Sequence, residues 1–207
     1  MDAADTNHLR LAGALLLVGG IAFNVGAFSP PWEQWSAPLL RALEVIGQRR
    51  IAWYWIHAWF VVGVLVTVLG FVALAHALRT RPDASLFVTL VATTYVTGAV
   101  FWLINIAFRA SVQVWAAAEV VRTGAIPVEY EPWRRWAGLL FLAYMVLAYL
   151  AIAGLGLLVL RTGLAPRWAG WFAIALGLTG GGVVGMTVPL VVHLPLMLIG
   201  AFLMRLA

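Results

Sequence analysis

The chain has 207 residues, 64% of them hydrophobic and only 10% charged, with a formal net charge of +5. A soluble domain carries about 25% charged residues, so the composition excludes an ordinary water-soluble globule and points to a chain whose solvent is lipid. Cysteine is absent and all 13 basic residues are arginine, which excludes disulfides, thiolate chemistry and a Schiff-base lysine, and with it an ordinary retinal protein.

Inside lipid every backbone N–H and C=O must be paired within the structure, which leaves helices or a closed barrel. The apolar runs are long and continuous, so the expectation is helical. Residues 1–7 carry two aspartates and no arginine. A cleaved signal wants a basic start, so the first apolar run reads as a retained span. That run covers 11–28 and closes at Ser29-Pro30-Pro31. In the connection that follows, Leu39, Leu40, Leu43 and Ile46 lie at helical spacing against Arg41, Glu44 and Gln48. This predicts an amphipathic segment in the interface or capping the bundle.

The second span is predicted over 51–78, followed by the tight link Arg79-Thr80-Arg81-Pro82-Asp83, and the third over 84–108. A second long connection sets Val112, Trp115, Ala116 and Val120 against Gln113, Glu119 and Arg122. It predicts another amphipathic segment, or an extension of the third span. The fourth span is predicted over 136–160, and Gly163 and Pro166 break the link after it. The remaining 40 residues hold only His193 and Arg205 as ionisable groups. As one helix they would run about 60 Å, twice the hydrocarbon thickness, so the chain must turn back, near Met186 to Pro189. That gives spans over 168–187 and 190–206; the last is short, contains Pro195, and either crosses or re-enters. The fold expected is all-α: one domain over 1–207, a polytopic integral membrane bundle of about six transmembrane helices with two amphipathic segments on one side. The two short links hold four arginines in twelve residues, which places both termini in the cytoplasm and the chain in the cell membrane. The positive charge sits at helix ends and reads as topology and contact with anionic head groups, not as nucleic-acid binding.

Ionisable residues inside a span are functional candidates. His57 in the second span and His193 in the sixth stand at similar depth from the long-loop side, and Asn105 and Arg109 approach the same level. Nine of the eleven tryptophans cluster toward that side. An interfacial belt should mark both surfaces, so the asymmetry means either an anchored cap or an aromatic-lined cavity. Trp53, His57, Trp59, Trp102, Asn105, Arg109 and His193 are the expected ligand-binding set. His57, His193 and Arg109 would hold a polar head, and the ligand would be apolar or amphiphilic, such as a lipid or isoprenoid. Three alternatives remain: an intramembrane enzyme on such a substrate with His57 or Glu119 as acid or base, a b-type haem protein with His57 and His193 as axial ligands, and a structural subunit of a membrane complex. The small residues Ala169, Ala173, Gly177, Gly181 and Gly185 recur every fourth position, a pattern for close helix packing within the chain or for a homodimer face. Ser85, Thr89, Thr93 and Thr97 follow a band on the third span whose hydroxyls can bond a neighbouring helix or their own backbone, and it reads as packing glue or a polar path. No cofactor or metal is expected, and no P-loop, HExxH, nucleophile elbow or dinucleotide fingerprint occurs.

The run Arg161-Thr-Gly-Leu-Ala-Pro-Arg-Trp-Ala-Gly-Trp171 resembles the GLxPRWxGW turn of uncharacterised six-helix bacterial membrane proteins, one of the domain-of-unknown-function families. Leu9-Arg10-Leu11-Ala12-Gly13 is similar to their first-span start, and the layout of long and short loops is alike. The resemblance implies six spans with the termini inside and carries no activity to any residue. Trp53-Tyr-Trp-Ile-His-Ala-Trp59 lies outside that pattern.

Overall fold

The computed structural model describes residues 3–180 and 190–206. Among them the structure is helical, without a strand: α1 (Ala3–Phe28), α2 (Glu33–Ser36), α3 (Leu39–Gln48), α4 (Arg50–Ala77), α5 (Ser85–Ala110), α6 (Val112–Thr123), α7 (Tyr130–Thr162), α8 (Arg167–Thr179) and α9 (Leu190–Leu203). Four helical stretches, Asp5–Phe28, Arg50–Ala77, Ser85–Thr123 and Tyr130–Thr162, are long and apolar enough to cross a bilayer. The helices α8 and α9 hold 13 and 14 residues and rise about 20 Å each. The turn expected near Met186 to Pro189 lies outside the described residues.

Helices stand where four of the six spans are expected, with shifted starts. The first helix is already formed at Ala3, because nothing between there and residue 11 breaks it. The fourth begins at Tyr130, six residues earlier than its apolar run suggests. Pro132 is tolerated in that first turn, where its missing N–H has no partner to lose. Glu131 sits at the helix N-terminus and pairs with Arg134 and Arg135, a placement the helix dipole favours. Glycines in the left-handed region, Gly124 (φ 73) and Gly163 (φ 68), close α6 and α7.

Packing follows chain order. The helix α1 lies along α4, α4 on α5, α5 on α7 and α7 on α8, while α9 returns to α1 and touches α8. The α1–α4 contact is close because a Cβ on Gly63 would stand 2.6 Å from the Phe23 nitrogen. Phe23, Phe60, Phe71, Tyr95, Trp102, Tyr144 and Tyr149 fill the middle of the bundle. The outer faces are apolar as well: Leu11, Val18 and Ile21 on α1, Leu65, Leu69 and Val72 on α4, and Leu139, Val146 and Leu150 on α7 are all exposed.

A second core sits at one end. There α3 and α6 pack on each other and over the ends of α4, α5 and α7, joining Leu43, Ile46, Trp53, Phe108, Val114, Ala117, Val120 and Tyr130. The two long connections therefore form a cap of two helices. Their buried faces are rotated from the expected ones: Leu40 and Trp115 face outward, 45% and 44% exposed, while Val45 and Val114 turn in. The α2 turn was not foreseen, because four residues carry no periodicity.

The small-residue stripe packs within the chain. Ala169 and Ala173 are fully buried, and a Cβ on Gly177 would stand 2.7 Å from the Ala153 nitrogen of α7. These three residues are buried within the chain; Gly181 and Gly185 lie outside the described residues. The hydroxyl band bonds its own backbone. Thr89, Thr93 and Thr97 are exposed, and Thr89 and Thr97 donate to the carbonyls of Ser85 and Thr93 one turn back, at 2.8 and 2.9 Å. Such bonds satisfy the hydroxyl donor on its own helix.

Candidate functional site

Trp102, Asn105 and Arg109 fall three and four residues apart, so they share one face of α5 at its capped end. Trp53, His57 and Phe60 do the same at the start of α4. One backbone carbonyl ties the two groups together, and a second fixes His57 within α4. Trp53 Nε1 donates to the Arg109 carbonyl at 3.0 Å. His57 Nδ1 donates to the Trp53 carbonyl at 2.8 Å. A carbonyl can only accept, so the ring proton is on Nδ1. His57 Nε2 is thus a buried acceptor with no partner, and Trp102 Nε1 is a buried donor with none.

Asn105 is a brace. Its amide nitrogen donates to the Ala137 carbonyl of α7 at 2.7 Å, and its Oδ1 accepts from Arg109 Nε at 2.6 Å. The guanidinium it fixes lies among three rings, 5.7 Å from the centre of Trp35, 5.6 Å from Trp102 and 6.0 Å from Phe141. A cation over an aromatic face gains roughly 0.5–2 kcal/mol, more as water is excluded. Arg109 is half-buried. Among the described residues no carboxylate pairs with it, and its two Nη groups make no hydrogen bond.

Beside this guanidinium a cleft of about 210 Å³ opens between α5, α6 and α7, lined by Leu39, Asn105, Phe108, Arg109, Gln113, Tyr130, Arg134, Ala137, Gly138 and Phe141. The charge of Arg134 is answered by Glu131, at 2.8 and 3.0 Å. Gly138 is exposed, and a Cβ there would meet nothing within 4 Å. A glycine inside a helix costs about 0.5–1 kcal/mol against alanine. Here it keeps room in the cleft and serves no packing contact.

The structure brings five of the seven expected residues together: Trp53, His57, Trp102, Asn105 and Arg109. Of these, Asn105 and Arg109 line the cleft. Trp59 instead pairs edge-to-face with exposed Trp55 at 5.5 Å. His193 is deeper and fully buried, stacked on Phe23 at 4.0 Å, with Nε2 turned to the Tyr95 hydroxyl at 3.4 Å. From His57 the ring contacts run through Phe60 at 5.6 Å and Phe23 at 4.6 Å before reaching His193. Phe60 and Phe23 thus link the two imidazoles through a run of ring contacts. Glu119 pairs with Arg122 on α6, and no described interaction links it to His57. Among the described residues no group of three or more His, Asp or Glu gathers at metal-binding distance.

Most of the tryptophan asymmetry belongs to the cap. Trp32, Trp35, Trp55, Trp115, Trp133 and Trp136 are each more than 40% exposed, whereas Trp53 and Trp102 are 1% exposed. The sequence reading missed Trp35, Gln113, Tyr130, Arg134, Gly138 and Phe141. A signal for α7 was present: Tyr130, Arg134, Gly138 and Phe141 follow steps of four, four and three, one helical face, but only once the helix is started at Tyr130. Compared with known proteins, the chain matches no family model, no curated protein and no solved structure.

Proposed function

We propose that the chain is a multi-pass integral protein of the cell membrane that binds or transports an amphiphilic molecule, a lipid or isoprenoid, at the capped end of its bundle. The outward Leu, Val and Ile of α1, α4 and α7 support insertion, since exposed apolar faces of this extent need an apolar solvent. Arginine-rich short links support cytoplasmic termini, which puts the cap on the outer side, with α8 and α9 supplying the fifth and sixth crossings.

The observation that carries the binding reading is the cleft itself. It joins apolar walls, Leu39, Phe108 and Phe141, to a cluster of polar groups, Arg109, Gln113 and Tyr130, at the level where the exposed tryptophans gather. One molecule with a polar head and an apolar tail would satisfy both. Of the expected set, Asn105 and Arg109 line this mouth. Native mass spectrometry of the chain released from membranes tests this. A co-purified amphiphile is expected on the natural chain and absent from a folded Gly138→Phe variant, whose side chain would fill the cleft. Repeated absence from the natural chain, or equal retention by the variant, would contradict the reading.

A further inference from the structure

We infer that the head group taken by this cleft is an anion, a phosphate or carboxylate, and that Arg109 is the residue that recognises it; this rests on the amphiphile reading above. A half-buried guanidinium is costly unless its charge is met. The nearby acid, Glu131, is engaged with Arg134 and Arg135. The aromatic cage of Trp35, Trp102 and Phe141 holds the cation but supplies no hydrogen-bond acceptor to its Nη groups. Asn105 takes Nε and so fixes the plane of the guanidinium with both Nη groups left over. That is the fork that carboxylates and phosphates match with two parallel bonds. The remaining polar wall, Gln113 and Tyr130, brings no negative charge. Gly138 keeps open the space in which such a head would sit, since a Cβ there meets nothing. A neutral head would leave the guanidinium unmet; a quaternary ammonium would be repelled by it.

The test uses the full chain in phosphatidylcholine nanodiscs, with four probes: monododecyl phosphate, dodecanoate, neutral monododecanoylglycerol and inorganic phosphate alone. Binding is scored above the Gly138→Phe variant, which removes simple partition into the bilayer. The two anionic amphiphiles are expected to bind the natural chain tighter than the neutral one by about tenfold or more, the equivalent of one charge-assisted hydrogen bond. Arg109→Gln should reduce that preference to about twofold or less, while Arg122→Gln, on the exposed face of α6, should leave it in place. If Arg109→Gln does not fold, Asn105→Asp takes over: it gives Arg109 the carboxylate it lacks and should abolish the same preference. Equal binding of neutral and anionic amphiphiles, or a preference retained in folded Arg109→Gln or Asn105→Asp, would overturn the inference. Failure of every amphiphile to bind would overturn the binding reading itself. Inorganic phosphate binding as tightly as monododecyl phosphate would keep the anion and remove the lipid.

Discussion

At the scale of single residues, Asn105 is the joint between fold and site. It is the group through which α5 holds α7, and it also sets the plane of Arg109. Asn105→Leu would leave the Ala137 carbonyl and Arg109 Nε unmet in a buried setting, at a cost of about 1–3 kcal/mol for each buried group left unsatisfied. Thermal unfolding in detergent should show a lowered midpoint; an unchanged midpoint would mean that the brace is not made. Trp53→Phe is a milder case. It keeps the ring contacts with Trp35 and His57 and removes the bond to the Arg109 carbonyl, for about 1 kcal/mol. The sequence shows Asn105 and Arg109 as polar residues one turn apart in an apolar helix. It does not show that the partner of Asn105 is a backbone carbonyl, because any residue at 137 would offer one. Equal depth along two helices likewise says nothing about which rings a histidine touches: His57 lies against Trp53 and Phe60, and His193 against Phe23.

At the scale of elements, two glycines make opposite predictions. Gly63 holds α1 against α4, and the atom that a Cβ would strike belongs to the Phe23 backbone. No rotamer change relieves such a clash, so Gly63→Val should cost about 1–3 kcal/mol as the helices are pushed apart. Gly138→Ala meets open space and should be neutral or stabilising by up to about 1 kcal/mol. Unfolding midpoints of the two variants, measured side by side, check the pair; a destabilised Gly138→Ala would show that the cleft is not open. Helix existence was legible from the apolar runs, and the cap from the period of Leu43 and Ile46 and of Ala116 and Val120. The rotation of the cap helices was not. Where the exposed face of a helix is apolar as well, hydrophobicity marks two faces and does not say which is covered, as Leu40 and Trp115 show. The same ambiguity hid the close approach of α1 and α4 at Gly63, whereas the stripe of α8 was visible because its small residues repeat without interruption.

At the scale of the whole molecule, the bilayer reading makes the two ends of the bundle chemically distinct. The natural chain has no cysteine, so single cysteines can be introduced without background. Cysteine in place of Arg79 or Arg167 should react with a membrane-impermeant thiol reagent from the cytoplasmic side, and in place of Trp32 or Val128 from the opposite side. Labelling of both sets from one side would contradict the crossing pattern. The central claim is narrower: an amphiphile sits at the capped mouth beside Arg109. The most direct measurement is photo-crosslinking with a diazirine-bearing monoalkyl phosphate in membranes, followed by peptide mapping. The account predicts label concentrated on the end of α5, the start of α6 and the first turns of α7, around residues 105–113 and 130–141, and lost in Gly138→Phe. Label spread evenly over the outer faces of α1, α4 and α7, or unchanged in that variant, would contradict it.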